Sequence, residues 1–177
     1  MPRCYRNSIN RLVVIDMIDA AMRTDEEEIR GLAEAYAVAM DEVDLEAFPR
    51  LFVPDGGMAV YGLGDEAPMG TFEGPGPDGV GLIATLMDEL YAATLHNVTT
   101  QLVRPDGDRA TATTYCIAYH VTGTDGILET LGVRYVDDLE RTPEGWRFRM
   151  RHATRLWSQR TSLDGEPLLI DRAAARR

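Results

Sequence analysis

The stretch RATATTYCIAYHVT, residues 109–122, alternates small or apolar side chains along its length. A period of two belongs to a half-buried β-strand, whose successive side chains point to opposite faces. Ala110, Ala112, Thr114, Cys116, Ala118 and His120 share one face, and Tyr115, Ile117 and Tyr119 the other. The same alternation marks Leu95 to Arg104, Gly126 to Arg141 and Trp146 to Gln159. The separators Pro105-Asp106-Gly107-Asp108, Gly123-Thr124-Asp125-Gly126 and Thr142-Pro143-Glu144-Gly145 are hairpin-turn chemistry. Strands joined in this way form an antiparallel meander.

Upstream of the meander the period becomes helical. Thr24 before Asp25 to Glu28 predicts a capped helix start, from which Ile29, Leu32, Ala33, Tyr36, Ala37 and Met40 build one apolar face as far as about Asp41. Asp44 is expected to cap a short second helix through Leu45, Phe48, Leu51 and Phe52, stopped by Pro54 and an Asp55-Gly56-Gly57 turn. Met58 to Tyr61 reads as a short strand. Gly62 to Gly81 is rich in Gly and Pro, with Met69 to Phe72 pairing within it. A third helix from Pro77 or Asp78 carries Val80, Ile83, Leu86, Met87, Leu90 and Tyr91 and ends near Thr94. Helices first and strands later predict an α+β domain, with three N-terminal helices on one face of a curved, mainly antiparallel sheet. The domain spans 24–160, between an N-terminal extension, 1–23, and a C-terminal tail, 161–177. Met17 or Met22 could serve as the start, and Leu168 to Ile170 could dock on the domain or a neighbouring subunit.

At 177 residues, with 45% hydrophobic and 27% charged residues, the chain suits one globular domain. A net charge of −11 repels phosphate backbones and anionic headgroups, so neither nucleic acid nor membrane is an expected partner. Arg147, Arg149, Arg151 and Arg155 make one late segment basic, and their alternation reads as a solvated strand face. Cys4 and Cys116 give no disulfide framework and no metal spacing, which fits a reducing cytoplasm; Leu12 to Ile15 is too short for a signal or membrane segment. No metal or cofactor is expected. Gly74-x-Gly76-x-x-Gly79 has the spacing of a dinucleotide loop but carries Pro75 and Pro77 and lacks a surrounding βαβ unit.

A neutral imidazole backed by a carboxylate is the commonest means of moving a proton at neutral pH, which directs attention to His96, His120, His152 and Asp41. Asp41 stands in the last turn of its helix, where the macrodipole opposes a carboxylate by roughly 0.3–1 kcal/mol, so something should compensate it. The plain alternative is a solvated helix-end acid. His96 enters the first long strand on the parity of Val98, Thr100 and Leu102. His120 lies in the row of small residues, which leaves room for a packed helix or a ligand. His152 shares its parity with Trp146, Phe148, Met150 and Leu156 and is expected to face inward, as a core or pocket-wall residue.

The order of elements, the string Ile29 to Phe52 with Tyr36, Asp41, Asp44 and Leu51-Phe52, and Leu95-His96-Asn97-Val98-Thr99 followed by Asp108 to Ala112 resemble the SnoaL-like branch of the nuclear transport factor 2-like superfamily. The similarity extends from about Glu26 to Gln159, and within the branch it is to scytalone dehydratase and bile acid 7α-dehydratases. It implies a cone-shaped barrel with a pocket between the first helix and the sheet, and cofactor-free chemistry inside. By that resemblance Asp41, His96, His120 and Tyr36 are catalytic, and Met40, Tyr61, Cys116, His152 and Arg155 contact substrate. Met40 stands where scytalone dehydratase has a tyrosine, so its substrate does not carry over.

The function so implied is a dehydratase, or an isomerase or cyclase, acting on a hydrophobic oxygenated molecule of polyketide or steroid type. The alternatives are a non-catalytic binding or protein-interaction module, and an epoxide hydrolase, which needs an Arg between two Asp that no internal parity offers. Uncovered strand edges and apolar sheet surface predict a homodimer or homotrimer.

Overall fold

The computed structural model describes residues 24–122 and 126–163. The elements are α1 (Asp25–Asp41), α2 (Ala47–Arg50), β1 (Phe52–Tyr61), β2 (Gly70–Glu73), α3 (Val80–Leu90), β3 (Tyr91–Asp106), β4 (Arg109–Thr122), β5 (Ile127–Thr142) and β6 (Gly145–Ser162). The strands form one sheet in the order β2-β1-β6-β5-β4-β3. Helices on one face of this curved sheet make the expected cone-shaped α+β barrel. The expected extension, Cys4 and the docking segment Leu168 to Ile170 lie outside the described residues.

Helix α1 begins with a reciprocal capping box: Thr24 Oγ1 accepts from the Glu27 amide at 3.3 Å, and Glu27 Oε2 accepts from the Thr24 amide at 2.9 Å. Its apolar face packs mainly on β3 and also on β6. The core beneath gathers Ile29, Tyr36, Phe48, Phe52, Phe148 and Leu139. Asp44 Oδ1 accepts from the Glu46 and Ala47 amides at 3.1 and 2.8 Å and so holds the turn that leads into α2, but the helix stops at Arg50, and Phe52, expected within it, opens β1.

Three further expectations are corrected. Pro54-Asp55-Gly56-Gly57 does not reverse the chain; it bulges β1, which pairs in parallel with β6 on both sides, Phe52 opposite Phe148 and Gly57 opposite Met150. The parallel pairing holds the segment extended. Glycine is required at 56 because a Cβ there would stand 2.8 Å from the Phe148 carbonyl oxygen. The third helix ends at Leu90, so Tyr91 opens β3 instead of closing a helix.

The third correction concerns parity. A shift between Val98 and Gln101 inserts an extra residue in β3, which sends Leu102 outward, 53% exposed, and brings Val103 inward, 6% exposed. On β6, shifts opposite Asp138/Leu139 and Gly132/Val133 add one residue each, at Arg149 and Leu156. Each bulge flips every side chain beyond it. Trp146 and Phe148 face inward, but so do Arg151 and Ala153, and His152 therefore faces the opposite way.

Candidate active site

The end of α1 is closed by a Schellman motif. The Asp44 amide donates to the Ala39 carbonyl at 2.8 Å and the Val43 amide to Met40 at 3.2 Å. Val43 adopts φ 51°, a left-handed conformation that costs a non-glycine residue roughly 1–2 kcal/mol. Its side chain is 3% exposed, so burial offsets that strain and pins the helix end. Asp41 stands in the turn this motif locks.

Asp41 grips His96 at both oxygens. Its Oδ1 lies 2.7 Å from His96 Nδ1 and its Oδ2 accepts from the His96 amide at 2.8 Å. Burial alone would raise the Asp41 carboxyl; the hydrogen bonds from the His96 ring and amide, with the charge interaction, hold it below the ordinary carboxylate range. A carboxylate can only accept, so Nδ1 carries the imidazole proton and Nε2 is left as a base. The compensation that the helix dipole demands of Asp41 is therefore present, and it comes from a strand 55 positions away.

His96 opens onto a cavity of about 200 Å³ between α1, α3 and the sheet. Asp41 does not line it and acts on it only through His96. Tyr36 and Met40 contribute from α1, Ile83 and Met87 from α3, and Met58 and Val60 from β1. His120, 5% exposed, lines the same space, its ring centroid 5.3 Å from that of His96 and 4.5 Å from that of Tyr91. The Tyr36 hydroxyl donates to the Met58 sulfur at 3.5 Å, and the Arg151 guanidinium acts on its oxygen. Burial pushes its pKa up to about 12, so Tyr36 remains a proton donor available to a better acceptor.

Of the residues expected to touch substrate, Met40 and Arg155 line the cavity. Cys116 lies below it with Tyr36, His96 and Arg151, in a crevice with no room for water, and burial pushes its thiol up to about 11. Tyr61 and His152 are not at the cavity. They meet on the opposite sheet face, Tyr61 Oη 3.3 Å from His152 Nδ1, because the bulge at Arg149 turned His152 outward.

Arg151 also departs from expectation. It is not on a solvated face but 1% exposed, bidentate to Asp137, with Nε to Oδ1 at 2.8 Å and Nη2 to Oδ2 at 2.9 Å. The guanidinium carbon stands 4.2 Å from the ring centroids of Tyr36 and Tyr135 and 4.0 Å from that of Phe148. Burial works against its charge, and Asp137 more than offsets this, raising its pKa. The pair forms a sealed floor beneath the tyrosines.

Sequence reading missed Tyr91, Glu129 and Tyr135 as cavity residues. Tyr91 was masked by its assignment to a helix. Glu129 was legible in principle, since it shares the parity of Leu131, Val133 and Tyr135. A wider depression of about 520 Å³ at the far end of the sheet is lined by Arg104, Asp106, Arg109 and Arg149. Arg109 and Arg149 both pair with Glu140 there, and the lining includes no histidine. Among the described residues no three His, Cys, Asp or Glu side chains gather as a metal site, and no helix is long and apolar enough to cross a membrane.

Comparison with known proteins agrees with this architecture. The uncharacterized protein Mb2934c of Mycobacterium bovis is 29% identical over 146 residues, which cover 81% of this chain and 93% of that protein. A crystal structure from Novosphingobium aromaticivorans, provisionally named an aromatic ring hydroxylase, is similar with a TM-score of 0.68 and 27% identity, over 77% of this chain and 93% of that one. A type 2 hexachlorocyclohexane dehydrochlorinase, LinA, shares the fold with a TM-score of 0.70 at 15% identity, over 86% of this chain and 98% of that one. The SnoaL-like domain model matches residues 21–152, which include both members of the Asp41–His96 pair, and the chain belongs to the SnoaL-like domain family.

Proposed function

We propose that the protein is a cofactor-independent lyase, a dehydratase acting on a hydrophobic oxygenated small molecule such as a polyketide or steroid-like ketone. The observation that carries this reading is the Asp41–His96 pair opening onto a cavity that holds a second imidazole, His120. His96 Nε2 removes a proton from the carbon alpha to a carbonyl, and the electron pair moves to the carbonyl oxygen. Tyr36 donates a hydrogen bond to that enolate, which is worth most in a water-poor site. As the carbonyl re-forms, the new C=C bond expels the β-hydroxyl, which takes a proton from His120 and leaves as water. An isomerase or cyclase would use the same enolate and redirect its collapse. LinA, named for removing hydrogen chloride, offers an elimination on the same fold.

The test is a screen of β-hydroxyketones, following the absorbance of the conjugated enone. His96→Ala should lower turnover by roughly 10²–10⁴-fold with an unchanged circular dichroism spectrum. Unchanged turnover in that variant would sink the mechanism. Tight binding of ketones without water loss would favour a carrier instead. An epoxide hydrolase would need an arginine between two aspartates in the cavity, whereas Arg151 pairs with Asp137 among the described residues and both are buried beneath the cavity. We also propose self-association as a dimer or trimer through the outer sheet face, where Leu95, Leu102, Tyr115, Val136 and Trp157 are exposed. Light scattering that gives a monomer mass would remove this.

A further inference from the structure

The mechanism leaves the Tyr91–Glu129 pair of the cavity unused. Tyr91, the first residue of β3, donates its hydroxyl to Glu129 Oε2 at 3.4 Å, and both residues line the cavity beside His120. Glu129 stands directly opposite His120 in the β4–β5 register. Both Tyr91 and Glu129 are half-buried, whereas Tyr36, Met40 and His120 are buried, so the pair lies toward the solvent side. Arg155, exposed, lines the cavity too, and Arg160 is paired across the sheet with Glu129. Burial and the Glu129 carboxylate together push the Tyr91 phenol above its ordinary value, against the pull of Arg160 and Arg155. Its proton therefore stays on and points to Glu129.

This arrangement discriminates among ligand groups. A ligand carboxylate would meet the Glu129 charge, and an ammonium would meet Arg155 and Arg160. A hydroxyl answers both, donating to Glu129 or to the Tyr91 oxygen while accepting from a guanidinium. The remaining wall, with Met58, Met69 and Met87, offers an adaptable apolar surface for the rest of the molecule. We propose that Tyr91 and Glu129, with Arg155, form a hydroxyl-recognition subsite that selects neutral hydroxylated apolar ligands over their O-methylated counterparts. The proposal rests on the reading of this cavity as the substrate site.

The test is equilibrium binding, by calorimetry on the full chain at neutral pH, of 2-naphthol and 2-methoxynaphthalene. These share a ring system and differ in whether the oxygen can donate. Wild type should bind 2-naphthol about tenfold or more the tighter, as expected for a hydrogen bond to a charged acceptor. Glu129→Leu should bring the two affinities to within about twofold, and Glu129→Gln, which keeps an acceptor oxygen, should retain part of the preference. Tyr91→Phe removes a single oxygen and should narrow the preference even if Glu129→Leu does not fold. Equal affinities in wild type, a preference untouched by Glu129→Leu and Tyr91→Phe, or no binding of either compound would each overturn the subsite. Binding needs no turnover, so discrimination without ketone dehydration fails the lyase reading alone. Dehydration without discrimination fails the subsite alone.

Discussion

Two carboxylate–nitrogen pairs meet at the inner face of the sheet, one reaching across from α1 and one within the sheet, and they differ in use. Asp41–His96 has side chains 18% and 6% exposed and opens onto the cavity through the imidazole. Asp137–Arg151 has both side chains 1% exposed and is capped by Tyr36, Tyr135 and Phe148. A guanidinium cannot release its proton near neutral pH, whereas an imidazole exchanges one readily. Access and proton affinity together separate a pair suited to chemistry from one that holds the floor in place.

That contrast can be broken most directly at the sealed pair. Asp137→Ala should cost about 3–5 kcal/mol, because it leaves Arg151 charged and unpaired in the interior. Urea unfolding measures this, and Asp137→Leu combined with Arg151→Met should recover most of the loss. A mild effect of the single change would mean that the pair is not sealed. At the open pair the expected effect is on rate: Asp41→Asn should reduce β-hydroxyketone dehydration by about a hundredfold, since the asparagine can hold the ring but no longer dictates its tautomer. Its unfolding midpoint should shift far less than that of Asp137→Ala.

A smaller signature separates the pairs by pH. The Asp41 carboxyl is held below its ordinary range in the folded state, so the unfolded chain binds more protons in acid. Its contribution to stability is present above the unfolded carboxylate value, about 3.9, and is lost as pH falls through the lower folded one. Asp41→Asn should therefore flatten the decline of unfolding free energy between pH 5 and pH 3. An unaltered slope would show that Asp41 is not held low. The smallest effect is expected at the start of the helix that carries Asp41: Thr24→Ala removes the capping box and should cost about 1 kcal/mol in denaturant while leaving turnover per folded molecule unchanged.

How much of this was legible depends on how local each cause is. The limits of β4, Arg109–Thr122, and the burial of its even-numbered row follow from alternation alone. The start of α1 follows from Thr24 and Glu27, which act within a single turn. Asp41 could be singled out as uncompensated from the helix dipole, and His96 and Asp41 were brought together by resemblance. That they meet at 2.7 Å is a tertiary fact. His152 and Arg151 were misplaced for one shared reason: a single extra residue at Arg149 reverses the parity of the strand beyond it, and a bulge there has no compositional mark in a run of alternating arginines.

By itself the sequence determined the α+β class, the helix that ends at Asp41, the meander and the small-residue row beneath the cavity, because period and turn chemistry act over a few neighbouring residues. Only the tertiary structure decided that β1 runs parallel to β6, which side chains the bulges turn inward, and that Tyr91 and Glu129 share a cavity with His120. Those outcomes depend on pairing between distant segments. A one-residue difference in register, invisible to local pattern, exchanges the inside of the sheet for the outside.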